Sequence, residues 1–335
     1  RIISGAVESP YRYLFDVILG AKDYENEESE LGLAVTEDGA LQVTLEGDFA
    51  GFAHMLAAPA FYPVKEGERV YNGRYAMTAL SDNVATLSPN GGYRGEKTGT
   101  GLTLKYYFDD MAALEKLAAD GTLQATYGYA GGNAPAVTGS DGVQYCYVVN
   151  TARLTDAETR LAVKQLAAGE EVTGTLPGEI TLLMPDYAAA AETAGADELR
   201  QRAEQAGVTL NLQKLSYEEY KTARENGGYD LLYLAVSADY PDEAVLLGRF
   251  VSEAAGNYAG YNNEKFDELL SKAAAETDEA ARAALLQEAR LLLESDGVLI
   301  PWGEGKTELY CNAALSGITC DAQGLWDFGG AKYAA

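Results

Sequence analysis

In the stretch "YDLLYLAVSADYPDEAVLLGRF", Tyr229 to Phe250, an apolar run ends in Ser-Ala-Asp-Tyr-Pro-Asp. Two chemistries are open to an acid placed where a buried strand runs out. Asp239 can cap the helix that starts near Pro241, since aspartate is a favoured N-cap. It can also be a carboxylate kept for a cationic ligand group. In a dry cleft such a charge is costly until a cation arrives, and a charge-assisted bond then fixes the ligand in place.

Other reactive residue types are scarce. His54 is the one histidine of the chain. It lies in "GFAHMLAAPAF", an apolar helix-like run where a packed or capping role is expected, so a Ser-His-Asp or Cys-His device has little to work with. The three cysteines, Cys146, Cys311 and Cys320, have no CxxC spacing, which argues against a zinc site. Cys311 and Cys320 flank the turn-like "CNAALSGITC", where a bridge would fit an oxidising compartment. Acidic residues abound, but no feature isolates a pair of the kind a carboxylate-pair hydrolase needs.

The chain has 335 residues, 47% of them apolar and 23% charged, the profile of a folded protein of two domains or three at the outside. Its 51 Asp and Glu against 25 Lys and Arg give a formal net charge of −26, which repels nucleic acid and anionic lipid. Tyrosine dominates the aromatics, 23 against 8 Phe and 2 Trp, and suits half-wet clefts as well as ordinary strands. No apolar stretch reaches the roughly 18 residues of a membrane span, and no signal peptide is read. The opening "RIISGAVESPYRYLF" reads like the middle of a protein, so an N-terminal part is expected to be missing.

The elements that must hold these residues follow from periodicity and punctuation. "SPYRYLFDVILGAKDY" is expected to be a helix entered at Ser9-Pro10, and "AVTEDGALQVTLEG" a hairpin around Asp38-Gly39. "NGRYAMTALSDNVATLSPN" reads as two strands, "GLTLKYYFDD" as a strand, "DMAALEKLAADGTL" as a helix and the Gly- and Ala-rich "ATYGYAGGNAPAVTGSDG" as a loop. After the strand "VQYCYVVN" comes a helix with a Thr155–Glu158 capping box. The pattern then becomes β-α-β-α: "EITLLMP", a helix ending before Gly207, "VTLNLQKL", a helix with a Ser216–Glu219 box, and the apolar "YDLLYLAVS". A helix with Pro241 in its first turn and two acid-led helices lead to the strand "VLIPW". One α/β lobe, 145–302, is thus entered and left by single strands. Residues 66–144 and 303–335 are assigned to the first lobe, and 1–65 to a remnant of its small subdomain. A lobe inserted into another through two crossings is the pattern of a hinged, two-lobed binder.

The run from "YDLLYLAVSADYPDEAVLL" through "GNYAGYNNEKFDELL" to "VLIPW" resembles the C-terminal lobe of the extracellular solute-binding proteins, family 5, the peptide and nickel group serving ABC importers. "SPYRYLFDVILGAKDY", "NGRYAMTAL" and "YCYVVNTARLTDAETRLAVKQLA" are similar to that family in matching order, so the resemblance covers most of the chain in fragments. It implies an α/β, type II periplasmic-binding-protein clamshell with two hinge crossings, the missing N-terminal part being part of its first lobe. It also implies a binding protein rather than an enzyme, without a cofactor, located outside the cytoplasm and monomeric. Membrane attachment would come through an N-terminal lipid anchor at most, with permease subunits as partners.

For the site, the resemblance implies that a peptide lies extended against the strand Tyr233, Ala235, Ser237, with its α-ammonium on Asp239 beside Tyr240. Tyr145, Tyr147, Tyr258 and Trp302 are the candidate wall residues near the crossings. Some family members carry Arg where Tyr233 stands and Trp where Val236 stands, and the connector "AGEEVTGTLPG" is shorter than theirs. A non-peptide solute, such as a nickel complex, haem, sugar or opine, is the alternative ligand.

Overall fold

The computed structural model describes residues 1–24, 30–65, 67–68, 70–96, 101–105, 111–127, 137–188, 190–312 and 315–333. Half of the expected Gly-rich loop, 128–136, and the end of the strand "GLTLKYYFDD" lie outside the described residues, and the described flanks of that loop are strand, not loop. In chain order the elements are β1 (Leu33–Val35), β2 (Leu41–Val43), α1 (Phe52–Met55), β3 (Tyr75–Ser81), β4 (Val84–Pro89), β5 (Leu102–Lys105), α2 (Met111–Ala119), β6 (Ala125–Tyr127), β7 (Val137–Val149), α3 (Ala157–Ala168), β8 (Glu179–Pro185) and α4 (Ala190–Gln205). They continue with β9 (Thr209–Leu215), α5 (Tyr217–Asn226), β10 (Leu231–Ser237), α6 (Ala244–Leu247), α7 (Glu264–Ala275), α8 (Glu279–Ser295), β11 (Leu299–Cys311), β12 (Leu315–Ser316), β13 (Thr319–Cys320), β14 (Trp326–Asp327) and β15 (Lys332–Tyr333).

The chain divides into two compact units, Arg1–Phe61 with Gln144–Gly303, and Tyr62–Val143 with Glu304–Ala335. In the first, strands order as β11-β7-β10-β8-β9, with β10, β8 and β9 parallel. Alternation sorts the side chains to two faces. Tyr147, Val149, Ile180, Leu182, Met184, Leu231 and Tyr233 pack under α3 and α4. Cys146, Val148, Leu183, Leu232, Leu234 and Val236 pack under α5 to α8. The long apolar runs of the sequence are this two-sided burial, each fully buried Leu contributing about 2 kcal/mol.

Local signals set the helix ends. Ser216 and Glu219 form the expected capping box of α5. For α3 the cap is Asp156, not Thr155: its extended backbone lets the carboxylate accept from the Thr159 N–H at 2.8 Å. Two expected helices are shorter than read. "SPYRYLF" forms only a 3-10 turn, Arg12–Val17. After β10, α6 starts at Ala244, leaving Pro241 outside it.

Residues 1–61, expected with the first lobe, belong instead to the unit of 144–303. Leu14, Met55 and Ala58 share a small core with Tyr240, flanked by Phe15, Phe49, Phe52 and Phe61. The Ala50 N–H donates to the Ala274 carbonyl at 2.7 Å. A side chain at Gly51 would meet the Asp242 carboxylate at 2.6 Å, so only glycine lets the backbone approach there.

The second unit holds the antiparallel sheet β3-β4-β5, α2, β6 paired with the end of β11, and the pairs β12-β15 and β13-β14. Cys311 and Cys320 are free thiols. A side chain at Gly139 would meet Cys320 Sγ at 2.7 Å and Thr307 Cγ2 at 3.7 Å, which sets Cys320 beside Thr307. Cys311 lies four residues farther along β11, opposite Ala125. That offset is about 13 Å, too far for a disulfide.

Candidate ligand-binding site

Strand β10 carries the site because its two ends differ. Tyr233 and Leu234 are buried, whereas Ala235 and Ser237 are exposed. The register with β8 covers Leu231↔Leu182 and Leu232↔Leu183. Beyond it the Tyr233 carbonyl accepts from the Tyr220 hydroxyl at 2.6 Å. The strand thus emerges from the core with the small residues Ala235 and Ser237 on its outer face. The C-terminal edge of a parallel sheet is where ligands of open α/β folds bind.

Past Ser237 the chain brings two carboxylates close in sequence and gives them opposite fates. Asp242 is 8% exposed. Its two oxygens accept from Arg282 Nη2 at 3.0 and 2.8 Å, its Oδ1 accepts from the Ala244 N–H at 2.9 Å, and His54 Nδ1 stands 3.3 Å from its Oδ2. The carboxylate that takes a backbone N–H at the start of α6 is therefore Asp242 and not Asp239, the N-cap position itself being Glu243. Asp239 is half-buried and accepts a hydrogen bond from the Tyr13 hydroxyl. Among the described residues no ion pair within 4.0 Å reaches it. Burial, then the hydrogen bond to Asp239, hold the Tyr13 phenol well above its ordinary pKa, while the Arg249 guanidinium pulls it back.

Tyr240 does not share the exposure of Asp239. It is 7% exposed, packs edge-on against Phe49 at 6.5 Å, and burial pushes its phenol up to about 12. It anchors the turn rather than facing a ligand.

Four of the remaining candidates meet in one aromatic cluster. Tyr145 stacks on Trp302 at 5.2 Å, Tyr147 on Trp302 at 5.9 Å, and Tyr233 lies 6.3 Å from Tyr145 and 6.1 Å from Trp302. Tyr145 and Tyr147 stand two apart on β7 and so share a face, and the sheet brings Tyr233 of β10 and Trp302 of β11 to that same face. Tyr147 and Tyr233 are 1% and 2% exposed, so their rings are core and not wall. Burial pushes the Tyr147 phenol up to about 12; burial and the Glu192 carboxylate raise Tyr233 further. Tyr145 and Trp302 keep a partly exposed edge. Tyr258 lies elsewhere. Its carbonyl accepts from the Tyr229 hydroxyl at 2.8 Å, at the end of β10 opposite Asp239, and its ring carries the Arg224 guanidinium at 4.7 Å. The sequence reading missed Tyr13 and Arg249; "SPYRYLF" held Tyr13, but nothing local linked it to Asp239.

A parallel β-α sheet with an acid at its C-terminal edge defines an α/β binding lobe, and the chain has the fold of the two-lobed periplasmic binding proteins. It superposes on the unliganded open form of the periplasmic murein tripeptide-binding protein MppA with a TM-score of 0.80, at 18% identity over 94% of this chain and 77% of that one. Its curated relatives are binding proteins, periplasmic oligopeptide-binding ones among them. It is 27% identical over 109 residues to the periplasmic oligopeptide-binding protein OppA of Salmonella typhimurium, covering 32% of this chain and 19% of that protein. It is 26% identical over 113 residues to a putative binding protein of Haemophilus influenzae, covering 34% and 22%. The chain thus matches about a fifth of the length of each. No family model matches it. The resemblance and the fold class expected from the sequence are borne out. Among the described residues no helix is long and apolar enough to cross a membrane.

Proposed function

We propose that this chain is the extracytoplasmic solute-binding component of an ABC importer, and that it captures peptides by their amino end. The observation that carries the reading is Asp239: a half-buried carboxylate at the exposed end of β10, without an ion-pair partner among the described residues, three residues before an aspartate that does the structural work. A peptide laid along Ala235 and Ser237 takes the place of a neighbouring strand, so that main-chain pairing gives affinity whatever the side chains. Its α-ammonium replaces the Tyr13 hydroxyl as the strongest donor to Asp239, a charge-assisted bond that fixes the register. The partly exposed edges of Tyr145 and Trp302 offer apolar surface near the strand. The protein works by binding and release rather than by turnover, as a monomer that hands its cargo to permease subunits.

Native mass spectrometry of the purified protein tests this. Co-purified peptides of mixed sequence support it; a single sugar, metal chelate or haem overturns it. In titrations, Asp239→Asn weakens peptides with free amino termini by about tenfold or more, the worth of a charged hydrogen bond, and spares N-acetylated ones. Equal losses for both would make Asp239 structural.

A further inference from the structure

Arg249 stands in the 3-10 turn Gly248–Phe250, ten residues after Asp239 in the same segment. Its Nε is buried without a hydrogen-bond partner, and among the described residues no hydrogen bond or ion pair reaches its guanidinium. Its stem is held in place, with a side chain at Gly256 meeting its Cγ and Cβ at 3.8 and 3.9 Å. Its charge is felt at the Tyr13 phenol, the group that donates to Asp239. Arg224 also lacks a carboxylate among the described residues, but its guanidinium lies over the Tyr220 and Tyr258 rings, a contact that Arg249 does not make among those residues. The other buried arginine near this segment, Arg282, is fully engaged with Asp242. Leaving a buried charge unpaired is costly, and the cost is recovered when an anion arrives. The planar fork of arginine suits a carboxylate in particular.

We infer that Arg249 is a specificity-determining residue which receives a carboxylate carried on the first residue of the ligand, next to the ammonium held by Asp239. The preferred ligands are then peptides that begin with an aspartyl or glutamyl residue. The ammonium of such a residue meets Asp239 and its side-chain carboxylate meets Arg249. This inference rests on the reading of Asp239 as the ammonium receptor and adds the substrate class.

The test is calorimetric titration of the full chain with Glu-Ala-Ala and Gln-Ala-Ala, which differ in that one charge. The wild-type protein binds the glutamyl peptide about tenfold more tightly, a preference that weakens with added salt. Arg249→Gln removes the preference by weakening only the glutamyl peptide, and Arg249→Lys keeps part of it. Thermal melts of both variants exclude a loss of fold as the cause. Equal affinity of the wild-type protein for the two peptides, or a preference that survives Arg249→Gln, overturns the inference. If both peptides then still lose affinity in Asp239→Asn, the ammonium reading stands without it. If neither peptide binds the wild-type protein, both readings fall.

Discussion

Asp242 and Arg282 meet through two hydrogen bonds of 3.0 and 2.8 Å, with side chains 1% and 9% exposed. The pair joins the turn after β10 to α8, and the Arg282 Nε also donates to the Ala273 carbonyl at 3.2 Å. Removing one partner strands the other charge in the interior. Asp242→Asn is therefore expected to destabilise the protein by about 3–5 kcal/mol. Asp239→Asn loses only a partly exposed bond to Tyr13, worth about 1 kcal/mol. Denaturant unfolding of both variants checks this, and similar losses would refute the division of labour between the two aspartates.

The α/β half of the fold was legible because its strands are long apolar runs and its helix ends carry local caps, Ser216 with Glu219 being one. The placement of residues 1–61 was not. What ties them down is Ala50 to Ala274 and Met55 to Tyr240, contacts more than 180 residues apart that leave no local trace. The site was legible in part. Asp239 stood out as the acid at the end of a buried strand, whereas Ala235 and Ser237 entered only through the family resemblance, which implied a ligand paired along that strand. The two-residue spacing of Tyr145 and Tyr147 could have told that these two share one face, though not that Tyr233 of the next strand joins them. It could not tell that α4 covers that face, which turns Tyr147 and Tyr233 from wall into core.

Cys146 is 2% exposed, its thiol reaches the Leu234 carbonyl at 3.6 Å, and burial pushes its pKa up to about 12. Only the thiolate attacks alkylating reagents. In the native protein at neutral pH, iodoacetamide is expected to modify Cys311 and Cys320, both partly exposed, far faster than Cys146. Peptide mapping after timed labelling reads this out. Cys146 reacts at a rate set by unfolding, so a rate equal to that of the other two would contradict its burial.

Alkali offers a second measure of the core. Tyr147 and Tyr240 are pushed up to about 12 by burial, and Tyr220, Tyr229 and Tyr261 are raised by the same cause. The folded state holds each phenol neutral, whereas the unfolded chain ionises it near pH 10. The stabilisation is therefore intact below about pH 10 and declines as pH rises toward 12, by up to about 1.4 kcal/mol per pH unit for each group. Denaturant melts across this range, followed with phenolate absorbance, should show ionisation of these tyrosines coinciding with unfolding. Early ionisation with the fold intact would count against their burial.

Trp302 depends on a glycine for its place. A side chain at Gly195 of α4 would meet the indole Cζ3 at 3.3 Å and Cη2 at 3.5 Å. That close approach lets the indole lie at 20° to Tyr145 and 22° to Tyr147 beneath the helix. Gly195→Leu puts four carbons where the ring lies and is expected to cost about 1–3 kcal/mol, as overpacking does, despite the better helix propensity of Leu. The ring must then leave its stack and turn outward. In a Trp326→Phe background, where emission comes from Trp302 alone, the fluorescence of Gly195→Leu should shift to the red. Gly228, where an added side chain meets nothing within 4 Å, provides the control: Gly228→Ala should leave the emission unchanged. Peptide titration of the same variants separates packing from function. If the exposed edge of Trp302 contributes to the ligand surface, Gly195→Leu weakens peptide binding by more than its thermal destabilisation explains. Unchanged affinity, with a red-shifted emission, would assign Trp302 to the core alone.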